Sequence, residues 1–478
     1  MKVLGAITGR LLPSSATLLQ LMPFADAVSG DLPLSRLARL SLFQVSVGMA
    51  MVLLNGTLNR VMVLEMNQPA WLVSLMVSLP LLFAPLRALI GFRSDHHRSL
   101  LGWRRVPYIW GGSLAQFGGL AIMPFALIVL SDPAAGPAWL GPAGAALAFL
   151  LVGAGLHTTQ TAGLALATDL ATEKTRPPVV ALLYVMLLLG TIASALLFAW
   201  LLADFSYMRL IKVIQGAAVA TIVLNTIALW RQEALVPERT TPERPRPDFR
   251  SSWRTFVSAG RTGRLLVAIG LGTAGFSMQD ILLEPYGGEV LGMSVSATTG
   301  LSALWGIGML LAFAGASRQL GRGADPIRMA GYGAALGLFA FAAVLLAAPL
   351  GSALLFKLGA TAIGLGGGYF AVGTLTAAMD LDDGEHAGLA LGAWGAVTAT
   401  ATGLAVAAGG AIRDYVTHLA AAGRLGPALT EPVTGYGAVY QIEILLLFAA
   451  LVALGPLVRH ATLQQGTPRA FGLREFPS

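Results

Sequence analysis

The sequence contains no cysteine, and Asp, Glu, Lys and Arg together make up only 12% of its 478 residues. The first absence excludes disulfides and thiolate metal sites. The second excludes an ordinary soluble domain, in which about a quarter of the residues are charged. Histidine is scarce as well, at six. No Ser-His-Asp or His-Glu spacing falls in a loop, so no hydrolytic or metal-dependent active site is legible, and the expectation is a protein that is not an enzyme. Polar and apolar residues do not alternate along the apolar stretches, which argues against a membrane barrel. The formal net charge is +7, yet the basic residues form no soluble face and point to no nucleic acid.

What is abundant is apolar surface and glycine: 55% of the chain is hydrophobic and 57 residues are glycine. Windows of about 20 residues with few or no charges recur throughout, each long enough to cross a hydrocarbon core of about 30 Å as a helix. The pattern predicts an all-α integral membrane protein with twelve spans, over 38–58, 70–91, 106–130, 143–167, 179–202, 209–230, 265–284, 296–317, 328–348, 352–379, 387–410 and 437–458. The first 30 residues are interrupted by Arg10, Pro13 and Pro23. They read as a lead-in resting on the membrane surface, not as a cleaved signal.

Loop charge sets the expected orientation. Twenty-four Lys and Arg fall on one set of connections and termini and six on the other, so both termini are expected in the cytoplasm. The expected organisation is a lead-in (1–37), a six-helix bundle (38–230), a cytoplasmic linker (231–264), a second six-helix bundle (265–458) and a tail (459–478). The linker holds eight arginines, and Trp253, Phe256 and Val257 at near-helical spacing; it is either solvated or rests on anionic headgroups. ALATDLATEKTR closes the fourth span and AAMDLDDGEHAG the tenth, aligning Asp169-Leu170 with Asp380-Leu381. Two such halves, related by an axis along the membrane normal, form the plan of the major facilitator superfamily.

GFRSDHHRSLLGWRRVPYIWGG, at 91–112, concentrates charge between the second and third spans. Gly91, Asp95, Arg104 and Arg105 match the pattern that superfamily carries in this loop. Glycine allows a tight helix exit, while a carboxylate and arginines can cap helix ends or pair, so the four form a candidate latch. Plain positive-inside anchoring is the alternative, and it suits Arg93 and Arg98.

ALIGFRSDHHRSLLGWRRVPYIW is similar to the PucC/LhaA family of bacteriochlorophyll-delivery, light-harvesting assembly factors of purple phototrophic bacteria. LARLSLFQVSVGMAMVLLNGTLNRVMVLEM at 37–66 and MQDILLEPYGGEVLGMSVSATTGLSALWGIG at 278–308 carry the same resemblance. It covers nearly the whole chain, and the length and tail look closer to the LhaA branch. The resemblance implies a factor of the bacterial inner, intracytoplasmic photosynthetic membrane that carries bacteriochlorophyll a. The implied partners are antenna alpha and beta polypeptides, the reaction centre core complex, bacteriochlorophyll synthase, the membrane insertion machinery and lipids. A proton-coupled transporter of a small amphipathic solute, and a pigment-free scaffold for antenna helices, are the alternatives.

A flat magnesium macrocycle needs apolar walls, small residues and one axial ligand. His157, inside the fourth span, is the candidate ligand, with Gln160 on the same face; a packed histidine bonded to a neighbouring helix is the equal alternative. Gln44 and Asn55 on the first span stand about three helical turns apart and can face one way, and Asn59 and Arg60 follow. His386, among Asp380, Asp382, Asp383 and Glu385, reads as part of a helix-capping cluster. Gln279, Asp280, Glu284 and Tyr286 form a candidate extracytoplasmic motif. Asp280 and Glu284 share a face, Pro285 with Gly287-Gly288 is expected to end the helix, and Glu284 is expected at the water boundary. GLGGGYFAVG at 364–373 and GLAVAAGG at 403–410 bring helices close, or accept a flat ring.

Overall fold

In hydrocarbon a backbone can satisfy its own polar groups only by winding into a helix or closing a barrel. The computed structural model takes the first course. It describes residues 32–82, 90, 94, 103–131, 137, 139–171, 176–233, 260–320, 322–379 and 387–463; among these there is no strand. Span 1 is Leu34–Glu65, and span 2 is described as the apolar helix Ala70–Leu82. Spans 3 to 6 are Val106–Ser131, Leu140–Leu170, Arg176–Leu201 and Tyr207–Leu229. Spans 8 to 12 are Val295–Leu320, Pro326–Ala347, Ala353–Met379, Ala387–Ala421 and Val433–Leu463. Each falls on a stretch expected from hydropathy.

Span 7 departs from that expectation. It runs as a helix over Gly260–Ser277, tightens to a 3-10 turn over Met278–Ile281, and resumes as Leu283–Glu289 after a bend of 41°. Pro285, Gly287 and Gly288 therefore lie inside the short second helix and do not end the span. Proline is tolerated there because the first turn of a helix needs no donor. Span 1 is irregular too, wound as a π-helix over Val52–Leu58 and again over Val61–Glu65.

Within each half, glycines set the closest approaches. A Cβ at Gly155 of span 4 would collide with the span 3 backbone at Gln116, and one at Gly364 of span 10 with Trp305 of span 8. The glycine-rich stretch at 364–373 thus serves close helix packing. Across the halves, span 2 packs on span 11 and span 5 on span 8. Large side chains such as Trp200, 73% exposed, and Phe339, 74% exposed, cover the outer flanks, where lipid is the solvent. Of the expected end segments and linker, 1–31, 234–259 and 464–478 lie outside the described residues.

Candidate functional site

The two irregular spans meet. Non-helical backbone at membrane depth must find partners within the protein, and here side chains supply them. Asn59 Nδ2 of span 1 donates to the Ile281 carbonyl at 2.6 Å. The Gln279 N–H donates to Glu443 Oε1 of span 12, also at 2.6 Å. Around the break, Gln279 Nε2 donates to Asp280 Oδ1 at 2.6 Å and Ser302 Oγ to Glu284 Oε1 at 2.8 Å. Arg60 Nη2 reaches the Met293 carbonyl at 3.3 Å, and Thr57 and Thr299 share a hydrogen bond at 3.3 Å. Further along the same seam, Asp414 Oδ2 accepts the Trp71 N–H at 2.7 Å, closing the first turn of span 2, a favourable place for an anion. The bonds of Asn59, Arg60, Thr57 and the Trp71 amide tie the halves together toward the end opposite Arg104 and Arg105.

Glu284 is not at the water boundary. It is only 5% exposed, pressed between the halves so closely that a Cβ at Gly56 would run into Oε1. The break upstream turns its short helix inward, which an unbroken span would not do. Asp280 and Glu284, with Asn55, Gln279, Ser302 and Trp305, line a cavity of about 130 Å³ at the seam. Tyr286 lies apart from it, fully buried against Phe356, Tyr436 and Tyr440, with its hydroxyl donating to the Val344 carbonyl at 3.3 Å.

Gln160 and Gln44 come together, Nε2 to Oε1, at 3.5 Å. Asn55 does not join them; it faces the seam instead, because π-winding intervenes on span 1. His157 is half-buried one turn before Gln160.

At the basic end, Gly91 and Asp95 lie outside the described residues, as do His386 and its acidic neighbours. Arg104 and Arg105 are described, and they converge on Asp169 at the end of span 4, at 2.9 and 3.0 Å. Arg105 Nη1 also donates to Ser94 Oγ at 2.5 Å. The backbone N–H groups of Arg104, Arg105 and Val106 donate to the Glu233 carboxylate at 2.8 to 3.1 Å, so the residue following span 6 caps the start of span 3. Sequence reasoning missed Glu233 and the arginine partnership of Asp169. It also missed Glu443, whose signal was available: a lone acid within the apolar run YQIEILLLF.

A second cavity, about 700 Å³, opens between spans 7, 11 and 12. Its walls are small or apolar, with Gly270, Ala274, Ala401, Ala405 and Leu446 among them, and Thr400 as the polar side chain. Sites that enclose an organic ligand measure about 300–1,000 Å³. The groove meets that size and the seam cavity does not. His157 belongs to the other half.

Paired bundles of apolar helices, broken where the halves meet, define a multi-pass membrane protein of the major facilitator fold. A bacterial homologue of the human lysosomal transporter Spinster, solved in an inward-facing, unoccupied conformation, superposes with a TM-score of 0.68 at 14% identity over 91% of this chain and 98% of that one. The chain belongs to the PUCC protein family, whose pattern matches residues 57–462. Protein PucC of Rhodovulum sulfidophilum is 60% identical over 83% of this chain and 88% of that protein. An uncharacterised protein of the puhA-bchM intergenic region of Rhodobacter capsulatus is 55% identical over 96% of this chain and 97% of its own length.

Proposed function

We infer that this chain is an assembly factor of a photosynthetic membrane that holds bacteriochlorophyll in the groove between spans 7, 11 and 12 and presents it to antenna polypeptides, with no catalysis of its own. The observation that carries this reading is the contrast in cavities: the groove is ligand-sized, apolar and lined by alanine and glycine, whereas the seam cavity is small and holds two carboxyl groups. Bacteriochlorophyll supplies a flat apolar ring and a magnesium that takes one axial ligand. The small side chains of span 11 admit the ring, and Thr400 is the side chain that would face the metal or a water on it. Membership of the PUCC family supports the photosynthetic setting. With the arginine-rich end in the cytoplasm of a bacterial inner membrane, antenna alpha and beta polypeptides and the reaction centre core are the recipients to seek.

The test is an absorption spectrum, with pigment extraction, of protein purified in mild detergent from its own membrane. Wild type and His157→Phe should carry pigment, and Ala401→Phe, which fills the groove, should be colourless. Undiminished pigment in Ala401→Phe rejects the groove. A colourless wild type rejects the pigment reading altogether.

A further inference from the structure

Glu443 has no counterpart in that reading. It is 0% exposed, about a third of the way along span 12, and its Oε1 holds the Gln279 amide that the break in span 7 releases. Its Oε2 has no hydrogen-bond partner, and neither has the hydroxyl of Tyr440 one turn before it, a group that is itself 0% exposed. An unbonded buried oxygen is costly, and an ionisable one at membrane depth is a functional group by default. The carboxylate oxygen can take up a proton, and the hydroxyl can donate or accept a hydrogen bond.

We propose that Glu443, with Asp280 and the Tyr440 hydroxyl, is a proton-binding site whose occupancy sets whether the seam at the break in span 7 is closed. The Asp280 carboxylate is linked to Glu443 through Gln279, whose side-chain amide donates to one and whose backbone N–H donates to the other, and it lies on the wall of the seam cavity. A proton on Glu443 leaves Oε1 free to hold the Gln279 amide and gives Oε2 a donor to share with Tyr440. Loss of that proton sets two like charges on either side of the break, at a depth where solvent screening is weak. The repulsion acts on Gln279 and Asp280, one residue from the Ile281 carbonyl through which Asn59 holds the other half.

Among the described residues, the polar groups around Glu443 come from these elements. Gln279 and Asp280 come from span 7 and Tyr440 from its own span, and Tyr440 in turn packs on Tyr286 of the short helix, whose ring also meets Tyr436. Span 9 presents Gly337 and Phe341 to this region. Span 11 meets span 7 there through Thr402, which shares a hydrogen bond with Ser277 at 3.2 Å. The Arg413 guanidinium of span 11 is held by Glu289, Tyr436 and Asp414.

The absence of cysteine makes the test direct. Val52→Cys places one thiol on the wall of the seam cavity. Its labelling by a small neutral maleimide is followed in lipid nanodiscs from about pH 5 to 9, normalised to Thr430→Cys on an exposed loop. The expected result is a change of about fivefold or more with pH, the lower end of ordinary coupling between sites, with faster labelling at high pH. Adding Glu443→Gln, which keeps an acceptor for the Gln279 amide, should flatten the profile. A flat profile with Glu443 present, or one unchanged by Glu443→Gln, overturns the proposal. Should that variant fail to insert, Tyr440→Phe must shift the midpoint, and an unmoved midpoint is equally fatal. Neither readout involves pigment, so the outcome is separable from the fate of the groove.

Discussion

The two halves bury polar side chains in different ways. In the N-terminal half one cluster, between spans 1, 3 and 6, is built of neutral side chains bonded to one another. Ser46 donates to Asn225 at 2.8 Å, Asn225 to Ser113 at 2.8 Å, and Gln116 to the Ser46 carbonyl and Thr221 at 3.1 and 3.2 Å, tying spans 1, 3 and 6 into one piece. In the C-terminal half the corresponding depth holds Gln279, Glu284, Glu443 and Tyr440, each with an oxygen that has no partner. A neutral cluster holds the same charge at every pH, whereas one that contains carboxyl groups can change its charge with its surroundings. The groups that can change charge are thus gathered at the break in span 7, and neutral ones hold spans 1, 3 and 6 together.

Four substitutions, measured by unfolding in mixed micelles, break or sharpen that contrast. Gly56→Val, which drives a side chain into Glu284 at the seam, should cost about 3 kcal/mol through overpacking, and should loosen the contact between halves that tryptic cleavage of the linker would otherwise leave intact. Asn225→Leu strips partners from two buried hydroxyls and should cost about 2 kcal/mol while leaving seam labelling untouched. Glu233→Ala removes a cap shared by three amides and should cost about 1 kcal/mol, seen as a lower unfolding midpoint. Glu443→Gln should be close to neutral, with a change of about zero, because it keeps the one hydrogen bond the carboxylate makes and removes a buried ionisable group. If Glu443→Gln proves as damaging as Asn225→Leu, the acid is structural and the two halves are alike.

Much of this architecture was legible in the chain. Windows of apolar residues located the ten helices long enough to span, the bent seventh and the described part of the second, because in hydrocarbon length and hydropathy leave the backbone little choice. The break in span 7 was not legible. MQDILLEP contains a proline and two acids, but the feature that bends it is an amide at Gln279 captured by a residue 164 positions away. Glu284 was misplaced for the same reason: its depth follows from the bend. Arg104 and Arg105 were singled out as candidate latch residues, and Asp169, at the end of span 4, pairs with both. The sequence put that acid in plain view as the partner of a repeat, and only the packing of span 3 on span 4 turned it into a counter-ion. Glu443 was readable but overlooked, since one acid barely dents the hydropathy of its window.

The π-wound stretch of span 1 works like the tooth of an escapement. Each π turn carries one residue more than an α turn, so slipping back to ordinary winding swings everything beyond it by about 100° around the axis. Asn59 and Arg60 sit just past that tooth, and a single tick would withdraw both from the carbonyls of Ile281 and Met293 together. Two separate grips would then let go in one motion, with no need for the rest of the helix to travel.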